Sequence, residues 1–414
     1  MSQLPKGWTK SKLGEFVKLK NGFAFKSKDY LESGENTVPV VRISDIQNGK
    51  ATIETASHID SSKTDSKFLI NKGDLLIAMS GATTGKTGVF NSDVEAYQNQ
   101  RVGNLKLVDE NNSCSKYRNY LIKSLQQDIL KKAYGAAQPN ISAKDLAEIE
   151  VTLAPFEDQK RISDKLDSVL GKVETAQARL DKIPTILKRF RQSVLAAATS
   201  GELTKDWRNG REFGKKVSIG ELTKDIKYGT SKKCDYNNEL TPVLRIPNIS
   251  NGVVDSGDLK YAKFDDKQLE KLSLETGDIL VIRSNGSVEL VGKSALISDQ
   301  HQGYLYAGYL IRLRLPTYEK ALPAYLNIAL QSPQLRKIIE LNARSTSGVN
   351  NINSKELASL SFLLPEIKEQ EEIINRVEIL FDQAKKMERK HASGKAYLDS
   401  LTQSILSKAF SGRL

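Results

Sequence analysis

The sequence predicts an α+β protein in which two globular α/β domains, related by a pseudo-two-fold axis, are separated by a long antiparallel two-helix coiled coil. Three observations support this fold class. Stretches of the first half recur in the second half in the same order, a long heptad pattern follows each globular segment, and strand-like apolar runs alternate with amphipathic segments inside the globular parts. The order along the chain of 414 residues is therefore globule, helix, globule, helix.

The sequence motifs of the first globular segment recur in the second. The clearest pair is PVVRISDIQNG at 39–49 and PVLRIPNISNG at 242–252. The other pairs are 72–76 with 276–280, 80–86 with 284–293, 120–132 with 325–337, and 140–146 with 351–357. The pair that begins at Tyr120 and Tyr325 predicts two amphipathic helices. Because repeated units of one sequence fold alike, each half is expected to form the same domain with loops of different length.

A heptad seam follows each globule. Apolar residues recur at alternating steps of four and three from Ile162 to Val194. Adding 211 to each position gives a second, mostly apolar series from Ile373 to Ile405. The offset is constant along both helices, as expected where a single insertion would rotate the seam away from its partner.

Both helices carry a signal for interruption near the middle. Pro184 lacks a backbone N–H and is expected to kink or break the first helix. The segment HASG at 391–394 is expected to weaken the second helix at the matching place. We interpret both sites as a short joint between helices rather than as a functional hinge.

These patterns predict four segments along the chain. They are a first globular domain at 1–155, a spacer helix at 156–202, a second globular domain at 203–365 and a second spacer helix at 366–414. Two antiparallel helices of about 40 residues would form a rod of roughly 60 Å. That length exceeds one turn of B-DNA, about 34 Å, and a basic dumbbell of this form suits a bipartite DNA site with an unread spacer.

Composition restricts the class of protein. The net charge of +12 indicates a polyanionic partner, although ribosome or tRNA binding would give the same signal. The two cysteines and three histidines share no ligand spacing, so neither a metal site nor a disulfide framework is predicted. The N-terminal residues do not resemble a signal peptide and no apolar run is long enough to span a membrane, which predicts a cytoplasmic protein.

The segment SGATTGK at 80–86 resembles the end of a phosphate-binding loop, but its surroundings differ from one. The first glycine of that motif is replaced by Ser80, and the residues after Lys86 favour a strand rather than a helix. A strand, a glycine-rich turn and a second strand instead predict a β-hairpin. A duplicated nucleotide hydrolase that uses the two Gly-Lys loops remains the alternative, and a coiled-coil scaffold without DNA contacts is a third.

Motifs for catalysis are missing from the sequence. The [DN]PP[YFW] loop and the glycine-rich cofactor turn of DNA amino-methyltransferases do not occur. The cluster Glu157-Asp158-Gln159-Lys160 loosely resembles a nuclease site, but its repeat at 368–371 loses the lysine. Acidic residues at a helix start favour the helix dipole, so these groups are interpreted as structural. We therefore predict a non-catalytic protein without a cofactor.

Taken together, the motifs resemble the specificity (S) subunit of type I DNA restriction–modification systems. They are PVVRISDIQNG, GDLLIAMSGATTGK and QPNISAKDL with their repeats, the helix start LAPFEDQKRI, and the helix ends RQSVLAAATSGELTKDW and SILSKAFSGRL. The resemblance covers nearly the whole chain. It implies that each globule is a target recognition domain for one half of an asymmetric bipartite site on double-stranded DNA. It also implies that the helices bind two methyltransferase (M) subunits, with motor and restriction (R) subunits joining later.

The candidate DNA contacts lie in the duplicated loops. Hydroxyl, amide and cationic groups at a hairpin tip bind phosphate oxygens and reach base edges in the major groove. The candidates in the first domain are Arg42, Ser80, Thr83, Thr84, Lys86 and Gln138, and those in the second are Arg245, Ser284, Asn285, Ser287, Lys293 and Asn350.

Structural roles for the same groups remain open. Each loop residue has an alternative role in a turn that merely requires glycine. Arg42 either bonds a guanine or pairs with Asp45, whereas Arg245 faces Asn248 at the matching position. Asn140 and Asn351 are expected to cap the helices that follow them.

Overall fold

The chain folds as two compact units in a computed structural model that describes residues 4–133, 139–316, 321–343 and 348–414. Unit 1 comprises residues 1–181 and 393–414, and unit 2 comprises residues 182–392. The two divisions lie after residues 181 and 392, and 392 minus 181 is 211, the offset of the helical repeat. Each unit therefore contains one globule, the start of the helix that follows it and the end of the other repeat's helix.

Unit 1 is built from short strands and helices. Its strands are β1 Thr9–Lys12, β2 Val17–Asn21, β3 Thr37–Val41, β4 Ile46–Gln47, β5 Gly49–Ala51, β6 Ser57–Asp60, β7 Leu69–Ile70, β8 Leu75–Ala78, β9 Thr87–Phe90, β10 Ala96–Gln98, β11 Val102–Leu107 and β12 Glu150–Leu153. Its helices are α1 Leu13–Phe16, α2 Ser115–Ser124, α3 Gln126–Ala133, α4 Ala143–Ala147 and α5 Phe156–Leu180. The sheets have the orders β2-β11-β8-β9-β5-β4, β6-β3-β10-β7 and β1-β12.

Unit 2 repeats this plan. Its helices are α6 Ile183–Ser200, α7 Lys205–Arg208, α8 Ile219–Leu222, α9 Ile246–Ile249, α10 Asp266–Leu272, α11 Ala321–Gln331, α12 Pro333–Asn342 and α13 Ser354–Ser359. Its strands are β13 Lys215–Ser218, β14 Asp225–Tyr228, β15 Thr241–Leu244, β16 Lys260–Ala262, β17 Ile279–Ile282, β18 Ser284–Asn285, β19 Ser294–Leu296, β20 Leu305–Tyr306, β21 Leu310–Arg314, β22 Asn350–Asn351 and β23 Ser361–Leu364. The sheets have the orders β14-β21-β17-β19, β16-β15-β20, β13-β23 and β18-β22.

Helix α14, Ile367–Phe410, contributes to both units. In unit 1, its last part runs antiparallel to α5, since Lys395 lies 3.4 Å from Asp181 and Arg161 lies 3.5 Å from the carbonyl oxygen of Leu414. In unit 2, its first part runs antiparallel to α6. The antiparallel pairing of helices predicted from the heptads is therefore present within each unit.

The core of each globule includes a tyrosine that ties a helix to a strand. Tyr117 on α2 donates a hydrogen bond to the carbonyl of Thr152, and Tyr325 on α11 donates one to Leu363. Thr152 and Leu363 are 211 residues apart, so Tyr117 and Tyr325 are structural equivalents. The sequence alignment of Tyr120 with Tyr325 was wrong by three residues, because nearby apolar residues at i+3 and i+4 made either register acceptable.

The two predicted helix interruptions have different outcomes. Helix α5 ends at Leu180 and α6 begins at Ile183 with Pro184 in its first turn, so the first joint is confirmed. Helix α14 passes through 391–394 without a break, and the expectation for the second helix was wrong. A helical glycine costs about 1 kcal/mol but keeps its backbone N–H, whereas proline removes a hydrogen bond.

Candidate nucleic-acid interface

The glycine-rich segment at 80–86 forms a hairpin tip, as predicted. Strands β8 and β9 pair antiparallel, with Ile77 opposite Thr87. The backbone N–H of Ala78 donates to Lys86 at 2.9 Å, and that of Gly85 donates back to Ala78 at 2.8 Å. A strand, not a helix, follows the lysine, so the backbone lacks the helix N-terminus with which a phosphate-binding loop holds its anion.

The second hairpin has the same backbone pattern despite a longer loop. Ile282 donates its backbone N–H to Lys293 at 2.9 Å, and Gly292 donates to Ile282 at 2.7 Å. Gly85 and Gly292 both have a φ of +80°, and a Cβ at Gly292 would lie 2.4 Å from Ile339. Glycine is required in the second loop both by its backbone conformation and by the helix packed against it.

Unit 1 presents only part of the candidate tip to solvent. Lys86 is exposed and Ser80 is half-buried. Thr84 is 4% exposed and donates its hydroxyl to Gly81 at 2.6 Å, so the geometry assigns it to the loop itself rather than to a ligand. The Oγ1 atom of Thr83 is buried and has no hydrogen-bond partner among the described residues.

Lys86 also lines a groove of about 720 Å³ within unit 1. Three further lysines, Lys50, Lys116 and Lys123, line the same groove, together with Asp167 and Glu174. Lys116 pairs with Asp167 at 2.6 Å, and Lys123 lies 3.9 Å from Glu174. Lys50 and Lys86 form no ion pair with a described residue, so this groove offers positive charge to an anion.

In unit 2, the matching residues are mostly buried or hydrogen-bonded within the unit. Lys293 donates to the carbonyl of Ser250 at 2.9 Å, and burial together with nearby Arg336 lowers its pKa. Asn350 donates to Gly286 at 2.9 Å. Ser284 is buried, Asn285 is half-buried and Ser287 is exposed. The lysine of the second tip therefore supports the hairpin, whereas Lys86 of the first is free to contact a ligand.

Arg42 and Arg245 hold equivalent turns. Arg245 donates to the carbonyl and the carboxylate of Asp258, at 2.8 and 2.9 Å. Arg42 donates to the carbonyl of Thr55 at 3.2 Å, and its Nε lies 3.6 Å from Asp45. Both guanidinium groups are thus used at least in part within their own units, in line with the structural alternative.

The expected caps at Asn140 and Asn351 were wrong. Ser142 caps α4 and Asn353 caps α13. Asn140 and Asn351 instead pair with the hairpin tips, in a bridge of Ser80 with Asn140 and in the pairing of Ser284 with Asn351. In each motif the expected asparagine is followed two residues later by another residue that can cap a helix, a serine in unit 1 and an asparagine in unit 2. The residue whose side chain reaches the free backbone N–H groups of the helix is the cap. Gln138 lies outside the described residues.

Sequence reasoning missed the residues beside the hairpin base. In unit 2 these are Arg283, Tyr228 and Tyr309, and in unit 1 the corresponding region contains Arg101. Arg283 lies 4.7 Å from the centre of the Tyr228 ring, and Tyr309 is 63% exposed. A comparison of the two repeats position by position would have drawn attention to Arg283, because Met79 occupies its place in the first repeat.

Other kinds of site find no support in the described parts of the chain. No group of three or more histidine, cysteine, aspartate or glutamate side chains there could hold a metal ion. Nor does any helix there have both the length and the hydropathy to cross a membrane.

The comparisons with known proteins agree with one another. The family model for the type I restriction modification DNA specificity domain matches residues 5–185 and again residues 214–392. The specificity subunit of the type I restriction enzyme EcoKI from Escherichia coli K12 is 34% identical over 424 residues, which cover 100% of this chain and 90% of that protein. The StySPI specificity subunit of Salmonella potsdam is 32% identical, with the same coverages.

Solved structures show the same fold at lower sequence identity. A chain in the work described as "Structural basis underlying complex assembly and conformational transition of the type I R-M system" aligns with a TM-score of 0.75 and 20% identity, covering 100% of both chains. The HsdS subunit of Thermoanaerobacter tengcongensis aligns with a TM-score of 0.54 and 18% identity, covering 100% of this chain and 99% of that one. The predicted α+β class with two tandem domains is confirmed.

Proposed function

Because the chain belongs to the type I restriction modification DNA specificity family, we propose that it reads an asymmetric bipartite DNA sequence for a restriction–modification complex. Each globule would bind one half-site in the major groove of double-stranded DNA, with an unread spacer between the halves. The proposal assigns no catalytic step to this chain, and no cofactor. Methylation and cleavage would be performed by the subunits with which it assembles.

The proposal rests on one observation: the two globules share a backbone scaffold but differ in the side chains on it. The hairpin hydrogen bonds at Ala78 and Ile282 are the same, and so are the bridges at Ser80 and Ser284. The free lysine of unit 1 has an engaged counterpart in unit 2. Recognition of two different half-sites requires two domains that share a backbone structure and differ in the side chains presented to DNA.

The proposed partners follow from the charge and the helices. A net charge of +12 favours DNA. We place two methyltransferase (M) subunits along the predicted spacer helices at 156–202 and 366–414, with restriction and motor (R) subunits added to that complex. The compartment proposed is the cytoplasm, where type I complexes meet DNA.

Not all candidate residues support DNA contact equally. Lys86, Ser80, Asn285 and Ser287 retain at least partly exposed groups, and we propose that they contact DNA. For Thr83, Arg42, Arg245, Ser284, Lys293, Asn350 and Gln138 a DNA contact stays a prediction. The nucleotide-hydrolase alternative lacks support, because the helix needed after the loop is replaced by β9.

The test is to exchange the first globule, residues 1–155, for that of a relative and to sequence the methylated genome. One half of the methylated motif is expected to change, and the other half and the spacer are expected to stay. A change in both halves would contradict the proposed division between the domains. Binding by the assembled complex should also weaken steeply with salt, and a complex that never binds DNA would favour the scaffold alternative.

A further inference from the structure

One position at the base of each hairpin has the same backbone geometry in both units. In unit 1 the backbone N–H of Met79 donates to Arg101 at 2.9 Å, and in unit 2 that of Arg283 donates to Tyr309 at 2.9 Å. The carbonyls of the same two donors accept again, from Ile141 at 2.9 Å and from Ile352 at 2.8 Å. We call each pair, Met79 with Arg101 and Arg283 with Tyr309, the hairpin-base pair.

Each hairpin-base pair contains one arginine, but on opposite strands. In unit 1 the arginine is the acceptor, directly before β11, and its partner Met79 packs against the core of that unit. In unit 2 the arginine is on the donor side and its partner is the exposed Tyr309. Each hairpin-base pair thus holds one arginine, but at non-equivalent positions of the pair, so the two arginines are not copies of a single duplicated residue.

Arg283 is held in place without a carboxylate. Its Nε donates to Oδ1 of Asn351 at 3.3 Å, and its guanidinium stacks 4.7 Å from the Tyr228 ring centre. The Tyr228 hydroxyl is itself fixed, since it accepts from the backbone N–H of Ser354 at 2.9 Å. The side chain is thus oriented while its two terminal nitrogens bond to none of the described residues.

The other arginines of the two globules are used differently. In unit 2 the described arginines of the globule other than Arg283 each pair with an acid: Arg208, Arg211, Arg245, Arg312, Arg314 and Arg336. In unit 1 Arg42 and Arg118 bond to backbone carbonyls, whereas Arg101 is exposed and its side chain has no hydrogen bond to a described residue. Among the described arginines of the two globules, Arg101 and Arg283 are therefore the two whose terminal guanidinium nitrogens form no hydrogen bond to a described residue.

We propose that Arg101 and Arg283 each read a guanine, one in each half of the DNA site. The oriented guanidinium of Arg283, with its free terminal N–H groups, matches the O6 and N7 acceptors of guanine in the major groove, and Arg101 supplies an exposed guanidinium at the hairpin base of unit 1. This inference rests on the proposed function and adds to it the residue and the base. A lysine can also donate to guanine but lacks the planar fork of a guanidinium, so its discrimination is expected to be weaker.

The experiment uses the full chain assembled with its methyltransferase subunits and a plasmid library in which both half-sites are randomised. Wild type and the variants Arg283→Lys, Arg283→Ala and Arg101→Ala are compared by sequencing the methylated molecules. Arg283→Ala is expected to lose discrimination at one G·C position of one half by about ten- to hundredfold, and Arg283→Lys is expected to lose less, because lysine can also donate to guanine. Arg101→Ala is expected to have the effect of Arg283→Ala in the other half only.

A matched control is Lys267→Ala, which removes one positive charge from exposed helix α10 of unit 2 and should leave the motif unchanged. Thermal unfolding of each variant complex confirms that it is assembled. An unchanged motif in Arg283→Ala would overturn base reading, and it would indicate a phosphate contact if methylation of all sequences weakened equally. If wild type methylates no bipartite motif, the proposed function itself fails, which is a distinguishable result.

Discussion

The hydroxyl of Tyr325 lies 2.8 Å from the carbonyl oxygen of Leu363 and donates a hydrogen bond to it. The ring is fully buried on α11, and Leu363 lies on β23, four residues before α14 begins. The bond therefore joins the globule of unit 2 to the strand that leads into its long helix. Burial raises the pKa of this hydroxyl well above its usual range, which keeps it protonated as a donor.

Replacement of this hydroxyl is expected to weaken unit 2. In Tyr325→Phe the carbonyl of Leu363 loses its side-chain donor, and the free energy of unfolding should fall by about 1 kcal/mol. Chemical denaturation of the full chain measures the change. Tyr236→Phe is the control, because its ring is 67% exposed and should show almost no effect. Equal effects of the two changes would argue against a role for this hydrogen bond.

The two threonines of the first hairpin tip should respond differently to replacement by valine. Thr84→Val removes a buried hydroxyl that donates to Gly81 and should lower stability by about 1 kcal/mol. Thr83→Val removes a buried hydroxyl without a described partner and should be neutral or slightly stabilising. The denaturation midpoints of the two variants measure both effects. A larger loss of stability in Thr83→Val than in Thr84→Val would show that the Thr83 hydroxyl has a hydrogen-bond partner.

Helix α14 should gain stability from Gly394→Ala. The added Cβ would lie 3.5 Å from Leu180, an ordinary contact, and the backbone is already helical. The expected gain is about 0.5–1 kcal/mol in the free energy of unfolding, since alanine is a better helix former. Gly412→Ala is the opposite control: its φ is +73° and its Cβ would lie 2.2 Å from Pro5, so that variant should be less stable.

Acid should weaken the helix pair of unit 2 through one ion pair. Arg191 donates to both oxygens of Glu388, at 2.7 and 3.0 Å, and this hydrogen bonding lowers the pKa of Glu388 below 4.5. A lowered pKa gives stability that is present above pH 4.5 and is lost as the pH falls below that value. The pair is partly exposed, so the contribution is at most about 1 kcal/mol.

The measurement is the stability of wild type minus that of Glu388→Gln as a function of pH. The difference should be constant near neutral pH and should shrink toward zero below pH 4.5. A difference that grows in acid would have the wrong sign for this ion pair.

The joint before Pro184 offers a test of the proposed spacing. Insertion of four residues after Asp181, about one helical turn, should change the spacer between the two half-sites and leave both half-site sequences unchanged. Methylated-motif sequencing of the assembled complex reads out both quantities. A changed half-site would show that recognition is not confined to the globules.

Several features of the fold followed from the sequence because they depend on neighbours along the chain. The repeated motifs predicted two tandem domains, an apolar strand followed by a glycine-rich turn and a second strand predicted the hairpin, and Pro184 marked the end of a helix. The heptads at an offset of 211 predicted paired helices. Each of these signals is a local pattern, and hydrogen bonding and hydrophobic periodicity act on local patterns directly.

What the sequence by itself determined was therefore the duplicated order of elements and the family resemblance, while the composition of the site was decided by the tertiary structure. Arg283 meets Asn351 across 68 residues of sequence, and Tyr228 supports it from another strand. Burial of Thr84 and engagement of Lys293 likewise depend on segments distant in the chain. Such contacts arise from strand pairing and packing between remote segments, and no pattern of adjacent residues encodes which side chain remains free.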